Sequence, residues 1–152
     1  PAAGGPVFQL AAVLAAGATA LVIELPPGKY QIAGSRIVCE ETGMGQRHFV
    51  ARAAKHPVAR LFREDDFKFW FDPAIDRVAP LLETLFFADD LWTPILLTGQ
   101  GGWGRSWEPA LAAAEKPHGK GRFVICQITL AGRLVNPVAR LFAQHLVQKS
   151  AG

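Results

Sequence analysis

The sequence predicts an α/β fold in which a mainly parallel sheet is flanked by helices. Residues 19–25 and 122–129 are short, almost wholly apolar runs, as expected of central strands that are covered on both faces. Helical patterns accompany them, over residues 6–16 and 136–148. Alternation of helix and strand at both ends of a chain favours a parallel α/β sheet.

The two predicted helices have recognisable ends. In the first, Pro6 suits the opening turn and Gly17 stands where a C-terminal cap belongs. In the second, Asn136 can cap the helix and Pro137 occupies its first turn. Each helix has one apolar face at helical spacing, formed by Val7, Leu10, Ala11 and Leu14 in the first and by Val138, Leu141, Phe142, His145 and Leu146 in the second.

The middle of the chain is predicted to hold shorter elements. The predicted strands are residues 35–41, 46–52 and 94–98, with residues 66–72 extended, a turn and short helix over 56–62, and a loop over 99–102. The apolar positions between Val78 and Phe86 fit a helical face and a bulky strand equally well, so both interpretations stay open.

One hexapeptide, Pro-Val-Ala-Arg-Leu-Phe, occurs twice, at residues 57–62 and 137–142. Two copies so far apart do not make a repeat protein. We interpret them as two helix starts with similar packing requirements.

Length and composition indicate a single domain spanning residues 1–152. Half of the residues are hydrophobic and 19% are charged, so part of the surface is expected to be covered by something else. No run of Lys and Arg is interleaved with aromatic residues, so nucleic-acid binding is not expected. No apolar run reaches the length of a membrane span, and the N-terminal region does not resemble a signal peptide.

The candidate reactive residues all favour structural roles. Cys39 and Cys126 lie in strand-like runs, which predicts buried free thiols, and a small Cys-dependent hydrolase is the least favoured alternative. The carboxylate pairs 65–66 and 89–90 are interpreted as solvated turns. The histidines lack metal-ligand spacing, so neither a metal nor another cofactor is expected. The sequence therefore assigns no catalytic residue.

The tryptophans are the remaining candidates for binding. Exposed indoles stack on sugar rings, whereas buried ones anchor a core or a contact between domains, and we favour the packing role. The glycine-rich run at 99–102 lacks phosphate-loop spacing and is interpreted as a connection. The carbohydrate-contact candidates are Trp70, Trp92, Trp103, Trp107 and the neighbouring Arg105.

Several short segments resemble a C-terminal domain of bacterial family-two glycoside hydrolases, which include β-galactosidase-, β-glucuronidase- and β-mannosidase-like enzymes. The segments are spread over nearly the whole chain: residues 48–52, 56–57, 66–70, 92–96, 119–127 and 136–142. The resemblance implies a class I glutamine-amidotransferase-like, flavodoxin-like sandwich without amidotransferase catalytic residues. It also implies that the catalytic carboxylates belong to a separate barrel domain, which nothing in this chain matches.

The resemblance thus predicts a non-catalytic structural or assembly domain whose partners are other domains of the same enzyme. The start at Pro1, without Met or a strand before the first helix, is interpreted as a sign of a fragment. A carbohydrate-binding module that uses exposed tryptophans is the alternative. A homo-oligomer is compatible with either, and periplasmic, secreted and cytoplasmic locations all stay open.

Overall fold

A computed structural model describes residues 17–102 and 104–151. The described part of the chain is mostly β, and its main sheet is mixed and curled into a half-barrel. The predicted α/β fold is therefore wrong, and so is the helix-flanked, amidotransferase-like sandwich. The predicted helix over residues 6–16 lies outside the described residues.

Strands make up most of the elements in the described residues. In chain order they are β1 (Thr19–Ile23), β2 (Gly28–Ile32), β3 (Ser35–Glu41), β4 (Ala51–Arg52), β5 (Phe71–Asp72), β6 (Arg77–Val78), β7 (Thr84–Phe87), β8 (Thr93–Gly102), β9 (Arg105–His118) and β10 (Gly121–Cys126). Two 3₁₀ helices span Ala59–Leu61 and Glu64–Phe67, and the α-helix of the described part, α1, spans Pro137–Ala151.

The main sheet is organised around the long strand β9. Its order is β1-β10-β9-β7-β3-β2, with β8 also paired to β9 and β4 paired to β8, while β5 and β6 form a separate hairpin. Leu111 of β9 pairs with both Leu97 of β8 and Phe86 of β7, which places it between two neighbours. β1 pairs with β10 in parallel, and the other pairings are antiparallel.

Tight turns explain why the parallel prediction failed. Ala33 and Gly34 join β2 to β3 with φ angles of 53° and 77°, the backbone that a two-residue hairpin of type I′ requires. Antiparallel neighbours need such a turn alone, whereas parallel strands need a long crossover, usually helical. The ambiguous stretch that ends at Phe86 contributes to β7, so its interpretation as a helix was wrong.

The predicted loop at 99–102 belongs instead to β8, which continues to Gly102 and forms a hairpin with β9. No element was predicted over the residues of β9. Its run of alanines lacks the bulky side chains that are typical of strands. Ala112 and Ala113 are buried in one core, and Ala114 is buried in the other. Small side chains on both faces let the central strand sit between two packed layers.

The first core lies between the sheet, the 3₁₀ helices and α1, and includes Phe62, Phe67 and Phe142. The second core is formed by residues of the sheet strands and adjoining loops and contains Ile37, Phe86, Trp92 and Ile125 among others. Lys116, near the end of β9, donates hydrogen bonds to Ala33 O at 2.7 Å and Ser35 Oγ at 3.0 Å. These bonds tie the end of β9 to the β2–β3 turn.

The remaining predictions had mixed outcomes. The strand prediction for residues 35–41 is confirmed, and those for 19–25 and 122–129 are confirmed with shorter bounds. The predicted strand at 46–52 shrinks to β4. The predicted extended segment at 66–72 forms a strand only at β5, because its start lies in the second 3₁₀ helix and Phe69 has a φ angle of 49°. The predicted helix cap is confirmed, because Asn136 Oδ1 accepts the amide of Val138 at 2.8 Å and that of Ala139 at 3.3 Å.

Candidate functional site

The structure separates the tryptophan candidates by exposure. The side chains of Trp70 and Trp92 are each 3% exposed, whereas Trp107 is 65% exposed. Trp103 lies outside the described residues. Among the described tryptophans, Trp107 is therefore the one whose ring is open to a ligand.

The two buried tryptophans serve the cores. Trp70 belongs to the first core, and its Nε1 donates to Asp66 O at 2.8 Å. Trp92 packs in the second core, where its Nε1 has no hydrogen-bond partner among the described residues. These positions match the packing role that the sequence analysis favoured.

Trp107 lies across the backbone of β8. A Cβ atom added at Gly99 would stand 1.9 Å from Cζ2 of Trp107, and one added at Gly101 would stand 3.0 Å from Cε3. The two glycines thus form a seat that leaves room for the indole. Sequence analysis missed this seat. The signal that could have found it was the spacing of the two glycines, which places both on one face of a strand.

The exposed indole borders a shallow recess of about 200 Å³. The recess is lined by Phe49, Val50, Ala51, Leu97, Thr98, Gly99 and Trp107. Phe49 is 45% exposed and Leu97 is 36% exposed, so the surface around the indole is largely apolar. The β4–β8 pairing holds this surface together, because Ala51 lies opposite Leu97.

Arg105 borders a different groove from Trp107. Its guanidinium donates to Glu40 at 2.9 Å and to Glu108 at 3.4 Å. Gln100 also donates to Glu40, at 3.0 Å. These interactions, led by the hydrogen bond from Gln100, hold the pKa of Glu40 below its usual value despite partial burial. The guanidinium is therefore already engaged within the protein.

A second, polar cavity of about 510 Å³ opens beside the carboxyl ends of β1, β3 and β10. Its charged lining residues are Glu24, Glu41, Glu83 and Arg47. Glu24 has a φ angle of 50°, in the left-handed region that costs energy for a residue with a side chain. Its Oε2 accepts the amide of Ala131 at 3.2 Å. Carboxylates and a guanidinium in this arrangement suit a polar solute.

Gln127 forms the buried floor of this cavity. Its Oε1 accepts the amide of Leu25 at 2.9 Å, and its Nε2 donates to Leu25 O at 2.9 Å and to Thr84 Oγ1 at 2.6 Å. The amide hydrogens of Gln127 are thereby both used. Its side chain ties the end of β1 to β7 and serves as a structural link.

A histidine and a carboxylate meet beneath the surface. His56 is 5% exposed, and its Nε2 lies 2.7 Å from Glu115 Oε1. Its Nδ1 accepts the amide of Val58 at 3.1 Å, so the Nε2 proton is the one shared with Glu115. Arg122 bonds the other oxygen of Glu115 and also donates to Leu146 O of α1. The group joins β9, β10, α1 and the turn before the first 3₁₀ helix.

Glu115 is ionised in this network. Partial burial opposes its charge, but the hydrogen bonds from His56 and Arg122 and the positive charge of Arg122 together outweigh the burial, so the pKa of Glu115 is lowered. The network therefore contains an anion held between two donors. Such an arrangement fixes the side chains in place and uses up their hydrogen-bonding capacity.

Both cysteines are buried and free. Burial raises the pKa of the Cys39 thiol to about 11. Burial also raises the pKa of Cys126, to about 12, although a hydrogen bond with the Ile128 backbone acts in the opposite direction. Neither thiol has the low pKa of a cysteine nucleophile.

Within residues 17–102 and 104–151, no three His, Cys, Asp or Glu side chains are placed to share a metal ion. In the same part of the chain, no helix has the length and apolar character needed to cross a membrane. Comparison of the chain with protein-family models, with curated proteins and with solved structures finds no match.

Proposed function

We propose that this chain is a non-catalytic structural or assembly domain of a larger glycoside hydrolase that acts on β-linked sugars. The catalytic carboxylates of that enzyme would lie in a separate barrel domain. The partners of this chain would be other domains of the same protein. The six short segments that resemble family-two glycoside hydrolases support the choice of parent enzyme. The helix-flanked sandwich is not part of this proposal, because the observed sheet is mixed and mainly antiparallel.

One observation carries the structural role: residues in the resembling segments build and join the cores of this protein. Trp70 and Phe142 pack in the first core. His56 fixes a turn and binds Glu115, while Gln127 links β1 to β7. Asn136 caps α1. Residues that pack a core, link strands and cap a helix are expected in a domain whose role is structural.

The reading frame that encodes Pro1 tests this proposal. It should continue in the 5′ direction into the coding sequence of a barrel domain with two carboxylates suited to glycoside hydrolysis. The encoded enzyme, expressed whole, should cleave aryl β-glycosides and lose that activity when a barrel carboxylate is changed to its amide. A frame that encodes this chain as a separate protein would contradict the proposal.

A further inference from the structure

We propose that the open face of the Trp107 indole is a stacking site for a pyranose ring of an oligosaccharide. This inference goes beyond the structural role, because it assigns a ligand to a surface that the fold does not need for its cores. It depends on the placement of Trp107 over β8 and is independent of whether a parent enzyme exists.

The indole of Trp107 is held in place before any ligand arrives. One side of the ring rests on Gly99 and Gly101, where side-chain atoms would collide with it. The residue as a whole is still 65% exposed, so the opposite side is open. A large exposed apolar ring costs free energy in water. A preorganised ring also loses little conformational entropy on binding, which favours a ligand that uses its flat face.

The indole face and a pyranose ring have complementary surfaces. The face of an aromatic ring is electron-rich, and the axial C–H groups of a pyranose present a flat, weakly positive surface to it. The neighbouring recess of about 200 Å³ is lined mainly by apolar residues, and Thr98 is the one lining residue with a polar side chain. An apolar platform with one adjacent polar group suits a sugar ring, which has an apolar face and a polar rim.

The small size of the apolar patch favours a sugar over a protein partner. The exposed large apolar side chains around the recess are Phe49, Leu97 and Trp107. Polar residues surround them: Lys68 pairs with Phe49, and Ser106 and Glu108 flank Trp107 and are exposed. A stable protein interface takes about 20–30 residues from each side. This patch is much smaller, but it is large enough for one or two rings.

Titration of the full chain with cellohexaose, mannohexaose and maltohexaose tests the site, with tryptophan emission and calorimetry as readouts. The three sugars differ in their glycosidic linkage, because a stacking surface recognises the face of the pyranose ring and not the linkage between rings. At least one sugar should give a saturable change in emission and a matching heat. Trp107→Ala should weaken that binding about tenfold or more, and Trp107→Phe should weaken it less, because a smaller ring face remains.

Two further variants separate stacking from a general loss of structure. Gly99→Ala keeps the indole but places a methyl group in its seat, so it should also weaken binding. Phe71→Ala removes an exposed aromatic side chain that does not line the recess and should leave the affinity unchanged. Circular dichroism establishes that each variant is folded.

Three outcomes would contradict the proposed stacking site. The first is the absence of a saturable response to any of the three sugars up to their solubility limits. The second is an affinity that is equal in the original chain and in folded Trp107→Ala. The third is a sedimentation experiment in which the chain is a dimer and Trp107→Ala is a monomer, because the face would then belong to an interface between copies.

Discussion

Phe62 and Phe142 occupy the same position in the two Pro-Val-Ala-Arg-Leu-Phe segments, and their rings meet edge to face with centroids 5.6 Å apart. Phe67 contacts both rings, at centroid distances of 5.4 and 5.2 Å. The first segment forms a 3₁₀ turn and the second opens α1, but both direct the same apolar side chains into the first core. The repeated hexapeptide thus reflects a shared packing requirement.

This cluster predicts a large effect of truncation at Phe142. Phe142→Ala should lower the free energy of unfolding by about 3–5 kcal/mol, because it removes a fully buried ring and leaves a cavity between two others. Denaturant titration followed by circular dichroism measures the change. Leu141→Ala is the matched control, since its neighbouring side chain is 46% exposed, and it should cost about 0.5 kcal/mol or less. Equal effects of the two variants would contradict the proposed core.

The Glu115 network predicts a second effect on stability. Glu115→Gln keeps the shape of the side chain but removes the charge between His56 and Arg122, so it should cost about 2 kcal/mol at about pH 7. Glu108→Gln is the control, because that carboxylate is half exposed and lies 3.4 Å from Arg105. Its cost should be about 0.5 kcal/mol or less. If Glu115→Gln were as stable as the original chain, the network would not stabilise the fold.

The same network predicts the direction of a pH dependence. The pKa of Glu115 is lowered from its ordinary value of 4.5, so the unfolded chain binds a proton there before the folded chain does. The stabilisation is fully present above that ordinary value and is lost as the pH falls through the lower folded pKa. The stability difference between the original chain and Glu115→Gln should therefore shrink at acidic pH. A difference that grows on acidification would reverse the assigned direction.

Both thiols should be inert in the folded protein. Burial holds the pKa of Cys39 at about 11 and that of Cys126 at about 12, so very little thiolate exists near neutral pH. A chromogenic disulfide reagent should label neither residue until denaturant unfolds the chain. Cys39→Ala and Cys126→Ala assign any signal to one position. Rapid labelling of the folded protein would contradict this prediction and support the alternative of a Cys-dependent hydrolase.

The cap of α1 supplies a further test. Asn136→Ala should lower stability by about 1 kcal/mol, because the amides of Val138 and Ala139 lose their shared acceptor. Asn136→Asp should retain most of the stability, since a carboxylate accepts the same bonds and suits the start of a helix. Thermal unfolding compares the three proteins. Similar losses in both variants would mean that Asn136 acts through something other than its cap.

Local features of the fold were predictable, but the way in which the strands combine was not. The apolar run at β1, the strand β3 and the Asn136–Pro137 helix start all have strong local patterns. The pairing of strands depends on contacts between residues far apart in sequence. The hairpin turn at Ala33–Gly34 and the small residues of β9 gave weak signals for it. Without those signals, helix–strand alternation at the ends of the chain favoured the wrong class.

The candidate site, too, was only partly predictable from the sequence. Composition identified the tryptophans as possible contacts, but it could not distinguish the buried Trp92 from the exposed Trp107. That difference arises because the β8–β9 hairpin brings Trp107 beside Gly99, and the sequence analysis had assigned this glycine to a loop. The polar cavity around Glu24 was also missed, since its walls come from four separate strand ends and loops.

Hydrolysis of p-nitrophenyl β-galactoside, β-glucuronide and β-mannoside by the purified chain is the most direct test of its proposed non-catalytic role. Release of nitrophenol should not exceed that of the same protein after heat denaturation. Glu24→Gln, which removes the charge of a carboxylate in the lining of the polar cavity, should change nothing. A rate that is proportional to protein concentration and abolished by Glu24→Gln would contradict the account and place an active site in this chain.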